Sequence, residues 1–197
     1  MKKIKTSWSI LSQWERGNKR AALEMLSGKD HEPNQAMKTG LECHEFISKN
    51  KIRTFWYKDK PLEMLSEKAI FEDRANKINY YRVDINEWLE FSGMLDVKDD
   101  AVYDFKTGSK SSLEHDPRQL YTYSMLHSLA TGEVLDKGVM MKVRLEGEKV
   151  ILEDYSVYKI TKQKLRYIHD YVQTVSQDIY LLWERNNFDF LQALNSI

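Results

Sequence analysis

The sequence predicts a mixed α/β (α+β) fold, a central mixed β-sheet flanked by helices. Three observations predict it. Short runs rich in aromatic and β-branched residues fill the middle of the chain. Helical spacing of apolar residues dominates both ends. The order is then helices, strands, helix, strands, helix, which a layered arrangement of sheet and helices accommodates.

Taken in order, Ser7 to Leu26 reads as one helix, with Ser7 or Ser9 as its cap and Trp8, Leu11, Ala22, Met25 and Leu26 on the apolar side. "SGKDHEPN" breaks it. Gln35 to Ser48 reads as a second helix, with Met37, Leu41, His44 and Ile47 near one face. "YKDKPLEML" reads as a connector with a short helical turn. "EKAIFEDR", "KINYYRVDI" and "WLEFSGMLDV" read as strands, "KDD" (98–100) as a turn, and "AVYDFKTG" as the returning strand. "SKSSLEHDP" is a loop. "RQLYTYSMLHSLA" is a buried helix whose Pro117 is tolerated at its start. "KGVMMKVRLEG" and "KVILEDYSVYKI" are two further strands, with Met140 and Met141 as packing residues. From Thr161, a plausible cap, Leu165, Ile168, Val172, Val175, Ile179 and Leu182 mark an amphipathic helix to about Glu184.

At 197 residues the chain is most simply one domain spanning 1–197, long enough to bury a core. Hydrophobic residues make up 42% and aromatic residues 12%, a folded rather than a disordered composition. Thirty basic residues offset thirty acidic ones, for a formal net charge of zero. Bulk attraction to nucleic acid is therefore unsupported, although a local basic groove can be masked by acids elsewhere. Cys43 is the only cysteine, which excludes an intrachain disulfide, an Fe–S cluster and a multi-thiolate zinc site. "MKKIKTSWSILSQW" lacks the uninterrupted apolar segment of a signal peptide, and no run approaches the ~20 apolar residues of a membrane span. A soluble, cytoplasmic protein without a membrane partner is the expectation.

The stretch "GMLDVKDDAVYDFKTG" (Gly93 to Gly108) carries chemistry. Side chains alternate along a strand, so Asp104 and Lys106 share a face with Val102, while Tyr103 and Phe105 point to the other. If "MLDV" pairs with "VYDFK", Asp96 approaches Asp104. Two carboxylates that close call for a cation, and Mg²⁺ or Mn²⁺ favours hard oxygen ligands, to which the Phe105 carbonyl could add a third. An ammonium at Lys106 could position a water or balance charge on a phosphate. These parts suit phosphodiester hydrolysis. A surface hairpin with scattered charges presents the same short D-x-K pattern.

Here the sequence resembles the PD-(D/E)XK nuclease superfamily, in the branch of the RecB nuclease domain and the CRISPR-adaptation exonucleases. "GMLDV" is similar to its G-x-(I/L)-D motif and "VYDFKTG" to its (V/I)-x-D-(Y/F)-K-(T/S)-G motif. "QLYTY" matches the branch's Q-x-x-x-Y helix, "GLECH" its upstream G-x-x-x-H, and "SWSILSQW" resembles its opening helix. The motifs follow the family's order over most of the chain. The resemblance implies a restriction-endonuclease-like core and a Mg²⁺- or Mn²⁺-dependent DNA nuclease, an exonuclease in the first instance. A structure-specific endonuclease, or a non-catalytic DNA-binding or interaction domain, is the alternative. It implies His44, Asp96, Asp104 and the Phe105 carbonyl at the metal, catalytic roles for Lys106, Asp96 and Asp104, and Gln119 and Tyr123 at the substrate.

On spacing alone His44 also fits a satisfied core histidine, and Tyr123 a core residue. Gln119 is expected to face the substrate from the helix surface, so that its removal leaves stability almost unaltered. The branch often places a glutamate before the first aspartate. Glu67, Glu72, Glu87 and Glu90 are candidates, and Glu90 lies ~20 Å of strand away from Asp96. The branch's four-cysteine Fe–S cluster has no counterpart here. Arg16, Lys19, Arg20 and Lys110 could contact phosphates, and Trp8, Trp14, Trp56, Trp88 and Trp183 could stack on bases, although a solvated helix face and core packing explain most of these. A protein partner or a homo-oligomer stays open.

Overall fold

A computed structural model describes residues 2–29 and 34–197. The fold is the expected mixed α/β one, but built on two sheets. One has three strands in the order β1-β6-β5 (Ile4–Ser7, Leu89–Met94, Tyr80–Asp84). The other has seven, ordered β3-β2-β10-β9-β8-β7-β4 (Lys60–Glu63, Thr54–Tyr57, Lys149–Lys159, Lys137–Glu146, Val102–Lys106, Val97–Lys98, Ile70–Phe71). In the larger sheet, β8 runs parallel to β9 and β2 parallel to β10, and the remaining pairs are antiparallel.

Helices cover both faces of the large sheet at its centre, so Val102 to Phe105 of β8 and Gly138 to Met141 of β9 are buried on both sides. Val102 and Met140 face one core with Leu120, Leu126, Ile168 and Ile179, under α4 (Arg118–Thr131) and α5 (Lys162–Arg185). Tyr103, Phe105, Val139 and Met141 face the other, with Ile47 and Cys43 of α3 (Gln35–Lys49). The alternation read from "VYDFK" is thus the one that the fold uses. Thr161 caps α5 through the Lys164 amide at 3.2 Å.

Three readings need correction, and one element was not foreseen. The helix expected over Ser7–Leu26 is two, α1 (Trp8–Glu15) and α2 (Lys19–Leu26), because Gly17 adopts φ +81° and ends the first. "YKDKPLEML" is no helical connector but the turn and second strand of the β2–β3 hairpin. Lys58 and Asp59 both take positive φ there (48° and 61°), as a two-residue hairpin turn requires, without the glycine or asparagine that normally announces it. Pro61 sits in β3 at the sheet edge, where its missing N–H is tolerated. "WLEFSGMLDV" is not one strand but β6 and β7, in different sheets. A short α6 (Phe190–Asn195), capped by Asp189, follows α5 unannounced. The expected break over Ser27–Asn34 lies partly outside the described residues. Among those described, no helix is long and apolar enough to cross a membrane.

Candidate active site

The site forms where the chain changes sheets. β6 ends at Met94, Leu95 is buried, and β7 begins at Val97, which leaves Asp96 at the crossing. Asp96 Oδ2 accepts the Phe105 amide of β8 at 2.7 Å, beyond the last β7–β8 pair. In an extended strand the N–H and C=O of one residue point to the same edge, so the Phe105 carbonyl faces this side too.

β4 supplies the next residue. Only Ile70 and Phe71 pair with β7, but the Glu72 amide continues the ladder by donating to the Asp96 carbonyl at 2.9 Å. Glu72 therefore stands opposite Asp96, which selects it from the four candidate glutamates. Glu90 lies in the other sheet and pairs with Arg82 at 2.8 Å. The third residue comes from α3, which the Asn34 side chain caps through the Met37 amide. A Cβ on Gly40 would fall 2.9 Å from Thr107 Oγ1. A glycine thus lets α3 lie close over the end of β8, and His44, one turn on, reaches the carboxylates. His44 meets the Phe105 ring edge-on at 5.9 Å.

His44 Nδ1 lies 3.5 Å from Asp96 Oδ1 and 4.0 Å from Glu72 Oε1. Ligand atoms of His44, Glu72 and Asp96 all lie within 4.8 Å of one another, so this group could bind a metal ion. Burial alone would lower the His44 pKa, but Asp96, then Asp104 and Glu72, hold it up at about 9. Burial and the neighbouring Asp96 push Glu72 up. Asp96 stays low against the cost of its burial because His44, Lys106 and the Phe105 amide favour its charge. The pocket attracts positive charge strongly enough to keep an imidazole protonated, which is the electrostatic condition for a cation site.

A second group adjoins the first. Lys106 Nζ meets Asp104 Oδ2 at 2.6 Å and donates to Gln119 Oε1 at 2.9 Å. Gln119 Nε2 donates to Asp104 Oδ1 at 2.9 Å and to the Tyr123 hydroxyl at 2.9 Å. Asp104 Oδ2 has the ammonium as its ion partner but no directed hydrogen bond among the described residues. Burial raises the Asp104 pKa, as does Asp96, while Lys106 opposes both. The Lys106 pKa is raised too, its carboxylate neighbours outweighing burial. Gln119 is consequently no free surface residue. Its amide is fully used, which corrects the expectation that stability would be indifferent to it.

His44, Asp96, Asp104, Phe105, Lys106, Gln119 and Tyr123 all line one cleft of about 780 Å³. Asp104 lies outside the three-ligand set, on the Lys106 side of the same wall. Gly93 lets α4 approach, since a Cβ there would meet Leu126 at 2.9 Å and Tyr123 at 3.2 Å. Sequence reasoning missed Arg74, which stands 3.5 Å from Glu72 and lines the cleft. Arg16, Lys19, Arg20 and Lys110 are not among the residues of the cleft wall. Of the tryptophans only Trp8 borders it; Trp14 and Trp183 are buried, Trp88 packs on Tyr180 and Trp56 lies under Lys149.

No family model matches the chain, and no curated protein matches it. Among solved structures it is similar to one described as "Crystal Structure of LHK-Exo in complex with dAMP", at 12% identity over 91% of this chain and 92% of that one, with a TM-score of 0.42. A likeness at that level carries no argument about this chain's activity.

Proposed function

We propose that this chain is a divalent-metal-dependent nuclease that hydrolyses DNA phosphodiester bonds, acting as an exonuclease. The observation that carries the reading is the convergence in one cleft of His44, Glu72 and Asp96 from three separate elements, beside an Asp104–Lys106 pair on β8. The resemblance of "GMLDV", "VYDFKTG" and "QLYTY" to the nuclease motifs supports it, and the exonuclease mode rests on the Q-x-x-x-Y match alone.

The residues proposed to hold the ion are His44, Glu72 and Asp96, with Asp104 and the Phe105 carbonyl on the same wall. The oxygen-rich donor set favours Mn²⁺ or Mg²⁺, and the imidazole tilts it toward Mn²⁺. A bound ion supplies Lewis-acid polarisation of the phosphate and a water of lowered pKa. Lys106 is the catalytic cation of the protein itself. Its ammonium, gripped by Asp104 and Gln119, is held for charge that develops on the phosphate, and its fixed position costs no reorganisation during the reaction. Gln119 keeps Lys106, Asp104 and the Tyr123 hydroxyl in register, so its role combines positioning with a place at the substrate wall.

Incubation of the purified chain with end-labelled linear DNA and with closed circular DNA, in Mn²⁺, Mg²⁺ or chelator, tests the reading. Mononucleotide or short products from linear DNA alone, and none in chelator, are expected. Nicking or opening of the closed circle would replace the exonuclease with an endonuclease. Binding without cleavage in either metal would leave a non-catalytic DNA-binding domain.

A further inference from the structure

Part of one strand in the large sheet lacks a neighbour. β2 meets β10 at Ile151↔Trp56 and turns back at Lys58–Asp59, so among the described residues no strand flanks β10 on that side from Asp154 to Lys159. On its other side this stretch pairs with β9, Asp154 opposite Lys142 through Lys159 opposite Lys137. The Ile160 amide extends that ladder by donating to the Asp136 carbonyl at 2.7 Å. Backbone groups in an antiparallel ladder point alternately to its two edges. Tyr158, Ser156 and Asp154 therefore turn theirs to β9, as Ile160 does, while Tyr155, Val157 and Lys159 turn theirs outward. Lys164 Nζ meets the outward Lys159 carbonyl at 2.7 Å. The N–H and C=O of Tyr155 and Val157 have no partner among the described residues. Their side chains are 42% and 57% exposed. Folded chains ordinarily block an apolar edge of this kind with lysine or proline. β3, at the border of the same sheet, carries both in Lys60 and Pro61; Tyr155 to Tyr158 carry neither.

We infer that this edge binds the same edge of a second copy of the chain, the two β10 strands pairing antiparallel about a two-fold axis at Ser156. Register selects that occupant. Opposed residues share a face of the sheet, so the outward groups of Tyr155 can face only residues 155, 157 or 159 of the second strand. With the axis at Ser156, Tyr155 faces Val157 of the partner subunit and Val157 faces the partner's Tyr155. Every free N–H and C=O of the two residues is then used, and exposed apolar side chains meet in pairs. An axis at Val157 would set Tyr155 against the partner's Lys159, whose carbonyl is already taken. An axis at Tyr155 would set Val157 against the partner's Glu153, at the bulge of the ladder. Charge selects the direction. Asp154 stands at one end of the stretch, and Lys159 and Lys162 at the other. Antiparallel pairing lays the acidic end of each strand against the basic end of its partner, whereas parallel pairing would join like ends. The contact is isologous and closes as a dimer. No residue from Asp154 to Lys159 lines the cleft, so the inference stands apart from the nuclease reading.

Sedimentation of the full chain across about 1–100 µM should show a monomer–dimer equilibrium. Val157→Pro deletes an N–H that points outward and leaves the bonds to β9 intact. It should weaken dimerisation about tenfold or more without change in the far-UV circular dichroism. Cysteine pairs read the register and decide the matter even if the proline variant does not fold. Native Cys43 is buried. Opposed Cα atoms of a hydrogen-bonded pair lie ~5.5 Å apart, within disulfide reach, whereas residue 155 and its own copy lie roughly 8–9 Å apart. A mixture of Tyr155→Cys and Val157→Cys proteins should therefore cross-link under mild oxidation about tenfold faster than either protein alone. A chain that stays monomeric throughout that range would overturn the inference. So would a folded Val157→Pro protein that dimerises as the wild type does, or single-cysteine proteins that cross-link as fast alone as mixed, since assembly would then use another surface.

Discussion

Replacing Gln119 with Ala removes three hydrogen bonds at once. Two involve charged partners, the Asp104 carboxylate and the Lys106 ammonium, and one the Tyr123 hydroxyl. Bonds to charged groups contribute about 1.5–3 kcal/mol and neutral ones about 0.5–1.5 kcal/mol. The lower ends of these ranges total about 3.5 kcal/mol; the direct Lys106–Asp104 pair survives and water entering from the cleft replaces part of the loss, which brings the cost to about 2–3 kcal/mol. For a chain of this size that is a fall in melting temperature of roughly 5–10 °C. Thermal and urea denaturation of the metal-free protein measure it. Gln119→Met is the control, since it keeps the volume and loses the hydrogen bonds, and it should fall nearly as far. A Gln119→Ala protein that melts within about 2 °C of wild type, or a Met variant that restores stability, would refute the assignment of Gln119 as the hub of the network.

Lys106→Ala should fold and still bind Mn²⁺, while single-turnover cleavage slows by ~100–1000-fold, the loss of one electrostatic contact to a developing charge; an unchanged rate would make Lys106 a bystander. Lys106→Arg should rescue it only in part, because a broader guanidinium does not fit between Asp104 and Gln119. Metal binding should depend on pH. His44 is held up at about 9 in the metal-free protein and must lose its proton to ligate, so Mn²⁺ affinity should rise by about tenfold per pH unit from neutral pH until it levels near that value. Calorimetric titration at several pH values checks this, and a His44→Ala protein should lose the slope. In the metal-free chain the same shift has the opposite sign for stability. The contribution of His44 is complete below its unfolded value of about 6.5 and is lost as pH rises through about 9.

Much of the site was legible because strand alternation is local. Placing Asp104 and Lys106 on one face and Tyr103 and Phe105 on the other needed nothing beyond a two-residue period, and the two cores divide along that line. The spacing from Gly40 to His44 was legible as one helical turn, but the reason for the glycine, the approach of α3 to Thr107, is tertiary. Glu72 was one candidate of four because β4 is two residues long and its register is set by β7, not by its own pattern. The break at Leu95–Asp96 was hidden because apolar residues flank it on both sides, Met94 and Leu95 before and Val97 after, while the chain passes from one sheet to the other. Lys58–Asp59 turns the chain without the glycine or asparagine that usually announces positive φ at both positions, and Lys58 has no such preference, so the hairpin left little mark. Gln119 showed its helical face in the sequence but not its three partners.

Single-turnover hydrolysis of end-labelled DNA across a Mn²⁺ titration, with wild-type and Asp96→Asn protein purified identically, is the most direct measurement. Asp96 touches both His44 and the Phe105 amide, so the substitution removes charge from the centre of the cluster while keeping shape. The expected result is metal-saturable cleavage by the wild type, none in chelator, and a loss of ~100-fold or more in the folded variant. Absence of cleavage by the wild type at saturating Mn²⁺, or equal rates in the two proteins, would contradict the assignment of this cleft as a metal-dependent nuclease site.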